Sequence, residues 1–166
     1  MRLSNSLLAV FFLSVAICSC GLLDKKKHRM RQEDSFYTDA GGLLDLPRIP
    51  LLKPYELLRS GNEWRMELNT PVYGLSVHNV RGVKVSRNRI LIHSVGGTQI
   101  LFGTLFKDYE EAWFIIDSST HKERAFVNEK KYKDTLRSLR LTDTALLMPT
   151  PLYASFEKSG RINWQR

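Results

Sequence analysis

Residues 80–117 read VRGVKVSRNRILIHSVGGTQILFGTLFKDYEEAWFIID, and this stretch decides the fold class. Its segments are rich in Val, Ile, Leu and Phe and continue an alternation of apolar and polar residues, the period of half-buried strands. The pattern divides into Val83–Ser86, Arg89–Val95, Thr98–Phe106 and Ala112–Asp117. Ser86–Asn88 and Gly96–Gly97 read as the hairpin turns, the glycines because a missing Cβ tolerates positive φ. Outward from this centre, Val72–Val80 precedes it and Glu123–Val127 follows it with the same character. Farther upstream, Glu63–Leu68 puts Trp64, Met66 and Leu68 on one face and Arg65 and Glu67 on the other. Tyr55–Leu58 is a further short strand, turning at Ser60-Gly61-Asn62. From Glu63 onward these make six strands, or seven with Glu123–Val127, and predict an antiparallel β-meander, either a sheet or a partial barrel.

The period changes at Asn128. Its side chain suits a helix cap before Glu129, and Tyr132, Leu136 and Leu139 recur at helical spacing. Glu129–Lys133 and Lys130–Asp134 are expected as i,i+4 pairs, with Arg137 and Arg140 at the negative end of the dipole. A second helix is predicted from Thr150, as cap, with Pro151 in its first turn and Gly160 as its left-handed stop. Leu152 and Phe156 would be its buried pair, and Ile162 and Trp164 would pack back on the body. Ahead of the strands, Pro47, Pro50 and Pro54 interrupt an apolar run beginning at Leu43, which reads as an extended edge segment. The fold class expected for residues 43–166 is α+β: a meander followed by two C-terminal helices.

The chain has 166 residues, 43% hydrophobic and 25% charged, a composition of one folded domain and not of a disordered or fibrous chain. Arg2 precedes Leu7–Cys18, twelve residues apolar except for Ser14. A bilayer core needs about 20 helical residues, so the run has the length of a signal-peptide core and not of a membrane span. By itself the run is a signal peptide cleaved after Ser19 or nearby, or a short uncleaved anchor. Ile17-Cys18-Ser19-Cys20 resembles the lipobox of bacterial lipoproteins, with an aliphatic residue at −3, small Ser19 at −1 and Cys20 as the new N-terminus. The resemblance covers residues 1–20 and departs from the pattern at −2, where Cys18 stands. It implies a signal peptide over 1–19 and a diacylglycerol thioether with an amide-linked acyl chain on Cys20. It also implies lipid anchoring to a bacterial envelope membrane. In surface-exported lipoproteins of some Gram-negative groups the residues after the cysteine are acidic. Here Asp24 stands alone before Lys25, Lys26 and Lys27, which favours the periplasmic side.

Residues 21–42 read as a flexible tether, with Lys25, Lys26, Lys27, Arg29 and Arg31 close together and too little apolar surface to offset ordering. Cys18 and Cys20 are the two cysteines, so no disulfide framework is expected. His28, His78, His93 and His121 fall in no metal-ligand spacing. No nucleophile elbow, phosphate loop or dinucleotide fingerprint occurs, so neither cofactor nor metal is expected. Asp117-Ser118-Ser119-Thr120 reads as a turn, and the adjacent Glu110 and Glu111 would face opposite ways on a strand.

Charge is the remaining signal. The net charge is +8, and residues 69–106 hold Arg81, Lys84, Arg87 and Arg89 without a carboxylate. These four are the candidate binding face, for an acidic protein, an anionic envelope polymer or anionic lipid; a solvated strand edge would carry the same residues. An exported chain does not meet nucleic acid in its usual compartment, so that partner is not expected. The expected function is a non-catalytic interaction domain on a lipid anchor, immunity- or inhibitor-like. An envelope hydrolase or a wall-polymer-binding accessory protein is the alternative. A pocket gathering His78 and His93 would favour the enzyme, and a basic face would favour binding.

Overall fold

In the computed structural model the described residues are 34–41, 46–68, 76–102, 105–141, 145–162 and 164. The compact unit that holds them runs from Asp34 to Arg166. The fold is α+β, with antiparallel strands and two C-terminal helices as the sequence predicts. The described strands, however, number eight, and they form two four-stranded sheets. Sheet 1 has the order β1 (Arg48–Pro50), β2 (Glu56–Ser60), β3 (Glu63–Glu67) and β4 (Ser76–Val77). Sheet 2 has β5 (Val80–Ser86), β6 (Arg89–Phe102), β7 (Leu105–Asp117) and β8 (Lys122–Phe126). The expected strand Val72–Val80 is therefore broken. Its first part lies outside the described residues, and the chain leaves sheet 1 at His78 and enters sheet 2 at Val80. Asn79 makes the bend with φ 49°.

Gly96 and Gly97 do not make a hairpin turn. Their φ values of 105° and 89° serve a bulge inside β6, where the pairing with β7 shifts between Val95 and Thr98. Asn79 holds the bulge from outside: its Nδ2 donates to the Gly96 carbonyl at 2.6 Å, and its own carbonyl accepts from Val95 N at 3.2 Å. The hairpin instead closes between Phe102 and Leu105. The two strands expected from Arg89 to Phe106 are one long strand and the start of its partner.

Alternation then sorts the side chains of sheet 2 into two cores. Val83, Val85, Ile90, Ile92, Phe114 and Ile116 pack with Ile49, Leu57, Trp64 and Met66 of sheet 1. The helix α3 (Pro149–Ser159) adds Leu152 and Phe156 to the same core. On the other face, Leu91, Trp113 and Ile115 are covered by Tyr132 and Leu136 of α2 (Glu129–Ser138) and by Leu141. The layers are sheet 1 with α3, then sheet 2, then α2. Full burial of each large apolar side chain contributes about 1.5–3 kcal/mol.

The helix ends follow local chemistry. Asn128 caps α2 by accepting from Lys131 N at 3.0 Å, and Gly160 stops α3 with φ 64°. The cap of α3 is Met148, which makes no side-chain cap bond, and not Thr150. Thr150 is the second residue of the helix, and its Oγ1 accepts from Trp64 Nε1 at 3.1 Å. Lys133 pairs with Glu129 at 2.6 Å as expected, but Asp134 pairs with Arg137 and not with Lys130. Ile162 is buried, and Trp164 Nε1 donates to the Pro50 carbonyl at 3.3 Å.

The packed body begins before Leu43. A short helix, α1 (Ser35–Thr38), lies against β1: Arg48 Nη2 donates to the Phe36 carbonyl at 2.9 Å, and the Arg48 guanidinium lies 4.9 Å from the Phe36 ring centre. Lys53 pairs with Asp34 at 3.2 Å. Residues 34–41, expected to be tether, thus join the domain. The expected signal segment, Cys20 and the basic run to Arg31 lie outside the described residues.

Candidate functional site

Strand register assembles the site. Lys84, Leu91, Ile115 and Arg124 stand in one row across sheet 2, and Ser86, Arg89, Asp117 and Lys122 stand in the row two residues along. Two residues along a strand is the same face, and Leu91 and Ile115 identify it as the face that α2 covers. The outer surface of α2 then adds Lys130, Lys131, Lys133 and Arg137, all exposed, with Arg140 just beyond its end. This layer is strongly cationic.

The carboxylates within it are already engaged. Glu129 binds Lys133, Asp134 binds Arg137, and Asp117 faces Arg89 at 3.4 Å. Asp117 Oδ1 also accepts from Ser119 Oγ at 2.6 Å and from the Ser119 and Thr120 amides, which makes the predicted turn. The Ser119 hydroxyl, with those amides and Arg89 behind it, holds the Asp117 carboxyl below the usual carboxylate range. Lys122, Arg124, Lys130, Lys131 and Arg140 are exposed and have no ion-pair partner among the described residues. Exposed charges of one sign on one layer raise the local concentration of an oppositely charged partner.

Of the four residues singled out in the sequence, Lys84 and Arg89 lie on this face, Arg89 in its pair with Asp117. Arg87 is exposed at the β5–β6 turn, with φ 58°. Arg81 is separate. It follows the bend at Asn79, where the β5–β6 pairing shifts between Val80 and Gly82, and it lines a cleft on the seam between the two sheets. Sequence reasoning passed over the cations of β8 and α2. Their own spacing was visible, with Lys122 and Arg124 two apart on a strand. What joins them to Lys84 and Arg89 is the register of β8 on β7 and the docking of α2, neither of which is local.

The seam cleft has a volume of about 130 Å³ and is lined by Asn62, Glu63, Trp64, Asn79, Val80, Arg81 and the start of α3, Met148 to Pro151. Met148 is 66% exposed and Leu147 39%. Leu147 forms a β-bridge with Val83, donating and accepting at 2.9 Å. Its neighbour Leu146 presses on Gly82, where an added Cβ would meet Leu146 Cβ at 2.8 Å. A second, shallow cleft of about 230 Å³ lies beside β2, lined by Pro54, Tyr55, Glu56, Leu58, Glu67 and Leu68.

The histidines have different partners. His78 Nδ1 lies 3.3 Å from Glu63 Oε1 at the β4–β5 bend. His93 Nε2 lies 2.8 Å from Glu111 Oε1, and its ring stacks on Trp113 at 5.1 Å and 7°. Neither histidine lines either cleft. The buried hydroxyls nearest to His78 have structural work: Ser94 Oγ donates to the His78 carbonyl at 2.6 Å, and Thr98 Oγ1 donates to it at 3.3 Å. Among the described residues no group of three His, Cys, Asp or Glu side chains is placed to hold a metal ion. No helix among them is long and apolar enough to cross a membrane. No protein-family model, curated protein or solved structure matches this chain.

Proposed function

We propose that this chain is a lipid-anchored protein of the bacterial envelope whose α+β domain binds an acidic macromolecule without catalysing a reaction. The single observation that carries the binding reading is the α2 layer. Lys122, Arg124, Lys130, Lys131 and Arg140 are exposed there, and the neighbouring carboxylates are engaged by other cations. Such a surface recruits a carboxylate- or phosphate-bearing partner, and recruitment weakens as salt screens it. The anchor is read from Leu7–Cys18 and Ser19-Cys20. Burial of each acyl methylene contributes about 0.8 kcal/mol, so two or three chains on Cys20 would hold the domain at the membrane. His78 and His93 each sit beside a different carboxylate and line neither cleft, which supports binding over hydrolysis.

The test has two parts. A fatty-acid analogue fed to cells should label the wild type and not Cys20→Ala; equal labelling refutes the anchor. From solubilised envelopes, the wild type should retain a partner that the triple variant Arg124→Glu, Lys130→Glu, Lys131→Glu loses. Equal recovery by both proteins refutes the α2 layer as the binding surface.

A further inference from the structure

We propose that the seam cleft docks an extended peptide segment of a protein partner, taking one aliphatic side chain that stands next to a carboxylate. The proposal deepens the binding reading and rests on it for the partner's acidity. It adds that the partner is a protein and that a second contact lies away from the α2 layer. Size is the first argument. Pockets for cofactors and drug-sized ligands measure about 300–1,000 Å³, whereas this cleft offers about 130 Å³. That is room for a single side chain.

The walls supply the second argument. Trp64 Nε1 is already bonded to Thr150 Oγ1, and the indole is held against Tyr153 with ring centres 5.6 Å apart. The indole is therefore fixed and, at 4% exposure, gives the cleft only a small apolar patch. Pro149 and Pro151 have no N–H to offer, so the start of α3 contributes methylenes more than donors. The exposed side chains of Leu147 and Met148 extend this apolar surface beyond the cleft. Met suits such a rim because its unbranched thioether adapts to different partner shapes. A sugar–phosphate polymer has no apolar side chain to place here, which favours a protein.

Charge supplies the third. Glu63, the carboxylate in the lining, is beside His78. Arg81 is exposed, lines the cleft and has no carboxylate partner among the described residues. A planar guanidinium recognises a carboxylate through paired N–H donors. Asn62 places an amide side chain on the same rim, suited to a peptide backbone, while the Asn79 Nδ2 there is already committed to Gly96. Addition of a partner strand to β5 is blocked at Val83, because Leu147 already takes both of its backbone groups. Recognition here runs through side chains.

The experiment pans detergent-solubilised full-length protein against displayed random dodecapeptides and measures the affinity of the leading synthetic peptide. The expected consensus pairs Asp or Glu with an adjacent aliphatic residue. Affinity should fall about ten-fold or more in Arg81→Glu and in Met148→Asp, and should be unchanged in Lys158→Ala, an exposed position outside both surfaces. Both seam residues are exposed, so thermal midpoints matching the wild type establish that the variants are folded. No enrichment, a consensus without the acidic–aliphatic pair, or an affinity indifferent to Arg81→Glu and Met148→Asp overturns the proposal. Loss in Lys130→Glu alone assigns the peptide to the α2 layer, which refutes the seam site and leaves the binding reading standing.

Discussion

The Tyr132 hydroxyl is buried beneath α2 with no hydrogen-bond partner among the described residues, while its ring packs on Trp113 and Phe126. A buried orphan hydroxyl forfeits its bond to water, at a cost of about 1–3 kcal/mol. Tyr132→Phe removes the oxygen and keeps the ring. The variant is expected to match the wild type or exceed it by about 1 kcal/mol in chemical denaturation. A lower midpoint would show that the hydroxyl contributes a bond. Burial also pushes the Tyr132 phenol up to about 12. The unfolded phenol ionises above about 10, so its contribution is full below that pH and is lost as pH rises towards 12. Tyr132→Phe should therefore lose less stability than the wild type across this window. Tyr55, pushed up to about 12 by burial and by Glu123, leaves part of the alkaline loss in both proteins.

Among the elements, α3 gives the sharpest stability test. Phe156 is fully buried in the core between the sheets, one turn from Leu152, whereas Lys158 is exposed. Phe156→Ala is expected to cost about 3–5 kcal/mol, and Lys158→Ala to stay within about 0.5 kcal/mol of the wild type. An unaltered midpoint for Phe156→Ala would remove α3 from the core. This helix was legible because its signals are local: an apolar pair one turn apart, a proline in the first turn and Gly160 after the last. Its cap was not, because Thr150 is claimed by Trp64, far away in sequence. The same distinction explains β6. Gly96–Gly97 announces positive φ in either a hairpin or a bulge. What selects the bulge is Asn79 on one side and the Ser94 and Thr98 hydroxyls on the His78 carbonyl. Two-residue alternation gave the strands their faces, but it could not say where the meander divides into two sheets.

For the whole molecule, the extent of the folded body and the placement of charge both depend on contacts that no local pattern encodes. Residues 34–41 look like solvated linker by composition, yet Arg48 and Lys53 bind them. Chains starting at Gly21 and at Asp34 should therefore unfold together. A chain starting at Leu43 should lose about 1–3 kcal/mol, because the buried Arg48 guanidinium gives up the Phe36 carbonyl and ring. Equal midpoints for all three would return residues 34–41 to the tether. The functional claim depends on the α2 layer facing a partner in the cell, and photo-crosslinking in intact cells tests it most directly. A photoreactive amino acid at Lys131, on the outer surface of α2, is compared with one at Glu67, exposed at the end of β3 in sheet 1. The account predicts a discrete adduct from position 131 that weakens when Arg124→Glu is added, and none from position 67. No adduct at 131, or the same adduct from both positions, would contradict it.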